Sequence, residues 1–407
     1  MVRFNLKMIH MKNLIFLNLA FGLVFSTCGN RNLRPENKLN ESSSLGSVFV
    51  TDTLGNASGG NTVVYGSLIP IAEMHNPRAA HTATLLKDGT VLICGGFAGS
   101  SSNSLSSAEI YNPSTKSFTE IVHLTTPRSD HTATLLPNGK VLLAGGYSGN
   151  SLSTTEIYDP ELKGFSLGPT MITARYGHTA TLLNNGTILF TGGVGIGWTF
   201  LSSAEIYDMQ TNKFIPVNPM TVPRQSHTTT LLQNGNVLIT GGHRDRRENL
   251  KVYASAEIYD SQSNQFTATG SMQIPRHKHD AVLLSDGKVL INGGADKRDS
   301  LFTSAEIFNP VTHQFTSISN MNYPRFKHKE MSILMPDNNV MIMGGSDKAE
   351  IYNFNTGKFT PVQGDLGPTR LFSCATLFDN GEVLITGGYD ENISAISKAH
   401  LFINKEQ

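Results

Sequence analysis

The sequence has little of what would define a disulfide-rich, nucleic-acid-binding or membrane-spanning protein. Its 407 residues include 3 cysteines, too few for a disulfide framework. The 32 Lys and Arg residues are balanced by 32 Asp and Glu residues, whereas a nucleic-acid-binding protein usually has a net basic surface. Its most apolar stretch, residues 14–25, is shorter than the roughly 20 residues that cross a bilayer. We therefore expect no disulfide scaffold, no nucleic-acid partner and no permanent transmembrane helix.

Familiar catalytic motifs are missing as well. The sequence contains no Gly-x-Ser-x-Gly elbow, no His-Glu-x-x-His and no phosphate-binding loop. These absences favour a binding module over an enzyme. Charged residues make up only 16% of the chain, while 38 Gly and 17 Pro are present. Low charge and many turn-forming residues are typical of an all-β protein.

The N-terminus has the pattern of a secretory signal. Lys7 and Lys12 precede the apolar residues 14–25, so a charged segment is followed by a short hydrophobic one. This pattern predicts a signal peptide at residues 1–27 and an exported protein.

Cys28 follows the apolar segment and gives it a resemblance to a bacterial lipobox. Phe25 and Thr27 stand where that motif usually has Leu and a small residue. The resemblance implies diacylation of Cys28; ordinary cleavage and an uncleaved anchor are the alternatives. Residues 28–61 are dense in Asn, Ser and Gly, a composition that predicts a flexible tether.

The remainder of the chain, residues 62–407, is one repeated unit. Each copy has two glycines directly after an apolar run, with a period of about 49 residues, which lies in the range of propeller blades. The seven pairs are Gly95-Gly96, Gly145-Gly146, Gly192-Gly193, Gly241-Gly242, Gly293-Gly294, Gly344-Gly345 and Gly387-Gly388.

Each repeat follows the same order of strand-like segments. In the second repeat, TATLL and KVLLA flank Asn138-Gly139, and TEIYDP and GFSL come later. Asn-Gly is the favoured pair of a type I′ hairpin turn, in which both central residues have positive φ. The sixth repeat has Asn338-Asn339 instead, and Asn also tolerates positive φ. The pattern predicts a four-stranded antiparallel meander in every repeat.

The Pro-Arg-x-x-His segment, the Gly-Gly pair and the Glu-Ile-Tyr-Asx-Pro segment together resemble the kelch repeat family. The resemblance implies a seven-bladed β-propeller whose first strands line a central channel. The last repeat lacks a fourth strand, and residues 67–71 match residues 213–217 of the fourth strand of another repeat. We therefore expect an N-terminal strand to complete blade seven and close the ring.

Several residue types recur in nearly every repeat and are predicted to be structural. Six histidines, each three residues after an arginine, and six glutamates recur at fixed positions, so they spread round a circle instead of converging as metal ligands do. Both types are lost together in blade seven, which hints that they interact. Cys94 and Cys374 occupy ordinary strand positions and are predicted to be small buried residues, with a disulfide between them as the alternative. We expect no metal and no cofactor.

Function is expected where the repeats differ, on the face formed by the Pro-Arg segments and the loops between second and third strands. One tryptophan and several basic residues are predicted to form an exposed indole beside a basic arc, which would suit an anionic partner. An ordinary solvated rim is the alternative. The candidate binding residues are Trp198, Arg244, Arg246, Arg247, Lys251, Lys278 and Lys327.

These observations predict a monomeric kelch propeller that binds a protein or glycan partner. The cell envelope is the expected location, at the outer membrane or cell surface, with the lipid anchor as the only membrane contact; a periplasmic or secreted protein is the alternative. The propellers of sugar oxidases such as galactose oxidase and of sialic-acid mutarotases are similar, so a carbohydrate-active enzyme is the main alternative function. A purely structural envelope component is the third.

Overall fold

Seven four-stranded antiparallel sheets make up the described part of the chain. The computed structural model describes residues 66–99 and 103–404, and each sheet is one blade of a propeller. The predicted signal peptide, the predicted acylation site at Cys28 and the predicted tether lie outside the described residues. No helix in the described ranges is long and apolar enough to span a membrane. The expected all-β, seven-bladed architecture is confirmed.

The two inner layers of the blades differ in burial. Second strands are buried along their whole length, because neighbouring blades cover both of their faces, and this explains their continuous apolar runs. The first, innermost strands are Thr82–Leu85, Thr132–Leu135, Thr179–Leu182, Thr228–Leu231, Asp280–Leu283, Ser332–Leu334 and Cys374–Leu377. The second strands are Val91–Cys94, Val141–Ala144, Ile188–Thr191, Val237–Thr240, Val289–Asn292, Val340–Ile342 and Val383–Thr386.

The two outer layers become progressively more exposed. The third strands are Ala108–Asn112, Thr155–Asp159, Ala204–Asp208, Ala256–Asp260, Ala305–Asn309, Glu350–Asn353 and Ala399–Asn404. The outer strands are Ser117–Ile121, Gly164–Leu167, Lys213–Val217, Gln265–Ala268, Gln314–Ser317, Lys358–Pro361 and, for blade seven, Gly66–Pro70. Blade four carries an additional hairpin formed by His243–Arg244 and Lys251–Val252. A short 3₁₀ helix spans Ile196–Trp198 in the blade-three loop, and another spans Arg247–Asn249 within the blade-four hairpin.

The turns between first and second strands differ from the expected type I′. In blade two the N–H of Gly139 donates to the carbonyl of Leu136 at 2.8 Å, and the N–H of Leu136 donates to Lys140. Gly139 has φ 85°, whereas Asn138 is not among the residues with positive φ. The turn is therefore a three-residue loop with a left-handed glycine at its end. In blade six Asn338, with φ 68°, occupies the glycine position, so the relevant pair is Asp337-Asn338.

The N-terminal strand closes the ring, as predicted. Gly66–Pro70 pairs antiparallel with Ala399–Asn404, which places Leu68 opposite Phe402. The backbone N–H of Leu68 also donates to the carbonyl of Gln363 in the segment after blade six, at 3.0 Å. Blade seven is thus assembled from the two ends of the described chain.

The hydrophobic core is divided among the interfaces between blades. The described residues form seven apolar clusters, and each contains side chains from two neighbouring blades. The cluster between blades seven and one, for example, packs Val91, Ile93 and Tyr111 against Leu384 and Leu401. A single blade buries little apolar surface by itself, so the blades depend on their neighbours for stability.

Two close contacts explain the double glycine, one with the next blade and one within the same blade. A Cβ atom on Gly95, which has φ 61°, would lie 2.4 Å from the carbonyl oxygen of Arg128 in the next blade. A Cβ atom on Gly96 would lie 2.7 Å from the carbonyl oxygen of Ala79. Any larger residue would push apart the segments that lead into the inner strands.

Candidate functional site at the mouth of the central channel

Each inner strand is preceded by a lead-in loop that contains the repeated arginine, and in blades one to six a histidine follows three residues later. The arginine is completely buried, and its guanidinium donates to a glutamate on the third strand of the same blade. Arg78 donates to Glu109 and to the carbonyl of Gly95, both at 2.7 Å. The six ion pairs, each 2.7–2.9 Å long, are Arg78–Glu109, Arg128–Glu156, Arg175–Glu205, Arg224–Glu257, Arg276–Glu306 and Arg325–Glu350.

The glutamates also hold the backbone of the lead-in loops. Glu109 accepts the N–H groups of His75 and Asn76 at 2.8 and 3.2 Å. Burial by itself would raise the pKa of Glu109, but Arg78 and these N–H groups outweigh burial, so its pKa is lowered. The carboxylate therefore stays ionised and fixes the loop to its blade.

Blade seven keeps the arginine but replaces the glutamate by a histidine. Arg370 donates to Nδ1 of His400 at 2.9 Å. Burial, followed by the charge of Arg370, lowers the pKa of His400 to about 4, which keeps the ring a neutral acceptor. The predicted interaction between the repeated histidines and glutamates is wrong, because the partner of the glutamate is the arginine.

The repeated histidines join neighbouring blades, which confirms their structural role. Nε2 of His81 is 2.9 Å from Oγ1 of Thr386, the last residue of the second strand of blade seven. His131, His178, His227 and His279 each reach a threonine hydroxyl of the preceding blade, and His328 reaches the side-chain oxygen of Asn292. Among the described residues, no three His, Cys, Asp or Glu side chains form a group that could hold a metal ion.

The two described cysteines are free thiols, so the disulfide alternative is wrong. Cys94 is buried, and Sγ of Cys374 donates to the carbonyl of His81 at 3.1 Å. Burial strongly raises the pKa of both thiols, so neither is a thiolate at neutral pH.

A belt of residues encircles the mouth of the central channel. The inner belt takes one residue from each lead-in loop, two positions after the arginine: Ala80, Asp130, Gly177, Ser226, Lys278, Lys327 and Phe372. Their φ angles are all between 49° and 60°. Six backbone hydrogen bonds of 2.8–3.0 Å join them, and each runs from a belt residue to the belt residue of the preceding blade.

Left-handed backbone is unfavourable for residues other than glycine, so the ring of hydrogen bonds holds the inner belt in a strained shape. Strain of this kind is concentrated at functional sites. The blades also differ in charge at the inner belt, because one carboxylate and two amines stand among small or apolar residues. The belt is thus the strongest candidate for a site on this face.

Blade six sends an additional lysine into the channel. From Arg325 to Asp337 its lead-in loop and inner strand are two residues longer than the matching segment of blade five, Arg276 to Asp286. The additional residues are Lys329 and Glu330. Nζ of Lys329 reaches the carbonyl of His178 in blade three at 3.3 Å.

Burial raises the pKa of two carboxylates near this insertion. Asp280 accepts the N–H groups of Glu330, Met331 and Ser332 at 2.6–2.9 Å, and burial raises its pKa to about 6. Burial also raises the pKa of Asp130, although the amines of Lys329 and Lys278 oppose this. This insertion was not predicted from the sequence. The number of residues between the repeated arginine and the hairpin turn, which is larger by two in blade six, would have indicated it.

An aromatic rim borders the inner belt beside blades two, three and four. The rim consists of Tyr147, Tyr176, Trp198, Phe200 and Arg246. The Arg246 guanidinium carbon lies 3.9 Å from the centroid of the Trp198 ring, and Nη2 of Arg246 donates to the Tyr176 hydroxyl at 2.8 Å. Tyr147 and Tyr176 have ring centroids 5.3 Å apart, and both lie about 6 Å from Trp198. Cation–π and edge contacts of this kind fix the orientation of the rings.

The candidate basic residues do not form a single arc. Arg246 belongs to the aromatic rim, and Arg244 forms an exposed ion pair with Asp245 at 3.4 Å on the blade-four hairpin. Lys251 is exposed on the same hairpin, while the side chain of Arg247 lies outside the described atoms.

The remaining candidates also differ in exposure. Lys278 is half-buried and Lys327 is 3% exposed, and both belong to the inner belt. Trp198 is half-buried instead of exposed, because Arg246 covers one of its faces. The structure thus brings Trp198, Arg246 and Lys278 to the channel mouth and leaves Arg244 and Lys251 apart from them.

Comparison with known proteins agrees with this geometry. A model of the KLHDC2/KLHL20/DRC7 kelch-repeats domain matches residues 154–345, and the kelch motif matches residues 78–125 and 127–172. The protein therefore belongs to the kelch-repeat β-propellers.

One solved structure with the same fold is a fungal alcohol oxidase of the AA5 family, in complex with copper. The TM-score is 0.67 at 17% identity, over 84% of this chain and 76% of the oxidase. At that identity the likeness shows the fold alone. No curated protein matches the sequence.

Proposed function

We propose that this protein is a cell-envelope binding module that recognises an acidic glycan at the mouth of its central channel. The observation that carries the proposal is the aromatic rim beside the inner belt. Half-buried aromatic faces are suited to stacking on sugar rings, and the amine of Lys278 on the inner belt, which interacts electrostatically with Arg246 of the rim, would attract a carboxylate. The rings are held in place before binding, which lowers the entropic cost of binding.

The binding test compares residues inside and outside the rim. Trp198→Ala and Arg246→Ser should each weaken binding to the glycan at least about 10-fold, since central aromatic and arginine residues contribute most at interfaces. A glycan array identifies the ligand, and titrations at two salt concentrations then measure the affinity. Binding should weaken as salt rises, because screening reduces charge attraction.

Matched controls come from the blade-four hairpin. Arg244→Ser and Lys251→Ser remove the same charge as Arg246→Ser but lie apart from the aromatic rim, so affinity should fall less than about threefold. Equal losses in rim and hairpin variants would mean that only net charge matters. If the protein binds no glycan on the array, or if the purified protein oxidises sugars and contains copper, the proposal is wrong.

The proposed location depends on Cys28. Cys28→Ser should abolish incorporation of a labelled fatty acid and release the protein into the soluble fraction, because the acyl chains provide the membrane affinity. Fractionation and N-terminal mass spectrometry of the mature protein measure this. An unacylated protein that begins at another residue in the wild type would instead show ordinary signal-peptide cleavage.

A further inference from the structure

Lys327 on the inner belt is a buried amine in an aromatic cage. Its Nζ lies 4.8, 5.2 and 5.6 Å from the ring centroids of Phe326, Tyr389 and Phe372. The hydroxyl of Tyr389 is its hydrogen-bond partner, at 2.5 Å. Phe326 and Phe372 are only half-buried, so the cage reaches the surface of the channel mouth through these two rings.

The cage provides no counter-ion. Among the described residues, no carboxylate oxygen lies within 4.0 Å of Nζ of Lys327 or of Lys278. The groups that face Lys327 are Lys278 on the neighbouring lead-in loop, Asp299 on the blade-five loop above and the Tyr389 hydroxyl on blade seven. The amine is thus desolvated beside another cation, which favours its neutral form, while the three ring faces attract the ammonium form.

Desolvation and the neighbouring charge act in the same direction on this amine. Burial, and then Lys278, lowers the pKa of Lys327 well below its usual range, although Asp299 partly opposes this. Burial raises the pKa of Tyr389, so its phenol stays protonated at neutral pH. In its neutral form, which the lowered pKa makes more accessible, the amine next to a protonated phenol has both the lone pair and the proton donor that addition to a carbonyl group requires.

We propose that Nζ of Lys327 is a nucleophile that forms an imine with small aldehydes, including the open-chain form of reducing sugars. The nitrogen lone pair attacks the carbonyl carbon, the C=O π electrons move to oxygen, and that oxygen takes up a proton to give a carbinolamine. The hydroxyl group then leaves as water as the C=N bond forms, and the second nitrogen proton is released. Amine and aldehyde thus give imine and water without oxidation or reduction, and Tyr389 is placed to relay the protons.

Reductive trapping tests the proposal on the purified full chain. The protein is incubated with glycolaldehyde, and cyanoborohydride reduces any imine to a stable secondary amine that peptide mass spectrometry locates. At pH 7 the peptide with Lys327 should be labelled at least about 10 times faster than those with the exposed Lys116, Lys163 and Lys213, because ordinary lysines with a pKa near 10.4 are almost fully protonated there.

The pH dependence of the labelling rate distinguishes Lys327 from the exposed lysines. Labelling of the exposed lysines should rise about tenfold per pH unit towards their ordinary pKa, whereas labelling of Lys327 should level off above its own lowered pKa. Lys278→Met removes the neighbouring charge and should move that midpoint to higher pH. Tyr389→Phe should slow labelling of Lys327 and leave the exposed lysines unchanged.

Lys327→Met provides the assignment control, since the label on that peptide should disappear. Melting temperatures establish that each variant is folded. Labelling of Lys327 that is equal to or slower than that of the exposed lysines in folded wild-type protein overturns the proposal. Because glycolaldehyde is the only probe, this result is independent of whether the aromatic rim binds a glycan.

Discussion

Deleting the closing strand, Gly66–Pro70, is expected to lower the melting temperature by at least about 5 °C or to cause aggregation. The deletion exposes the edge of Ala399–Asn404 and removes Leu68 from the cluster between blades six and seven. An unpaired strand edge above an apolar face is a template for association with other chains. Thermal unfolding and size-exclusion chromatography measure the two outcomes.

The predicted tether provides the control for this deletion. Removing residues 29–61 takes away a much longer segment and should leave the melting temperature unchanged within about 2 °C. Leu68→Asp tests the same contact without shortening the chain, because it places a charge at a buried position. A monomeric deletion variant as stable as the wild type would show that the blades hold together without the closing strand.

Breaking one buried arginine–glutamate pair should have the second large effect. Glu306→Ala leaves the guanidinium of Arg276 buried without its carboxylate, and the loss of one partner from a buried pair costs about 3–5 kcal/mol. The free energy of unfolding from denaturant titration measures this. Lys140→Ala breaks the solvent-exposed pair with Asp159 and should lower the free energy of unfolding far less, because exposed ion pairs contribute little. Equal losses would mean that burial of the pair contributes nothing.

Blade seven allows the reverse experiment, in which the missing arginine–glutamate pair is restored. His400→Glu supplies Arg370 with the carboxylate that the other blades have. In the wild type, the folded pKa of His400 is about 4, below the ordinary value near 6.5. A lowered histidine pKa contributes stability at pH above about 6.5, and this is lost as the pH falls towards 4. The variant should therefore gain most over the wild type at acidic pH.

Local sequence patterns determined the architecture. The continuous apolar second strands, such as Val141–Ala144, predict strands covered on both faces, and seven Gly-Gly pairs count the blades. The match between residues 67–71 and 213–217 predicted ring closure, since the missing strand had to come from elsewhere in the chain. These features repeat, so each copy supports the interpretation of the others.

The type of turn between the first and second strands could not be predicted from local sequence patterns alone. Asn-Gly fits both a type I′ turn and a three-residue loop with a left-handed glycine, and the register of neighbouring strands selects between them. In the structure the N–H of Gly139 bonds to Leu136, so the loop has one residue more than the sequence indicated.

The candidate site was decided by the tertiary structure. Trp198, Arg246 and Tyr147 lie on loops of three different blades, and no local pattern relates them. Lys327 occupies the same repeat position as Lys278, yet one amine is enclosed by three rings while the other is half-buried. The sequence by itself determined which segments form strands and how many blades they make. Only closure of the ring brought the loop side chains together, because their contacts depend on the spacing and angle between blades.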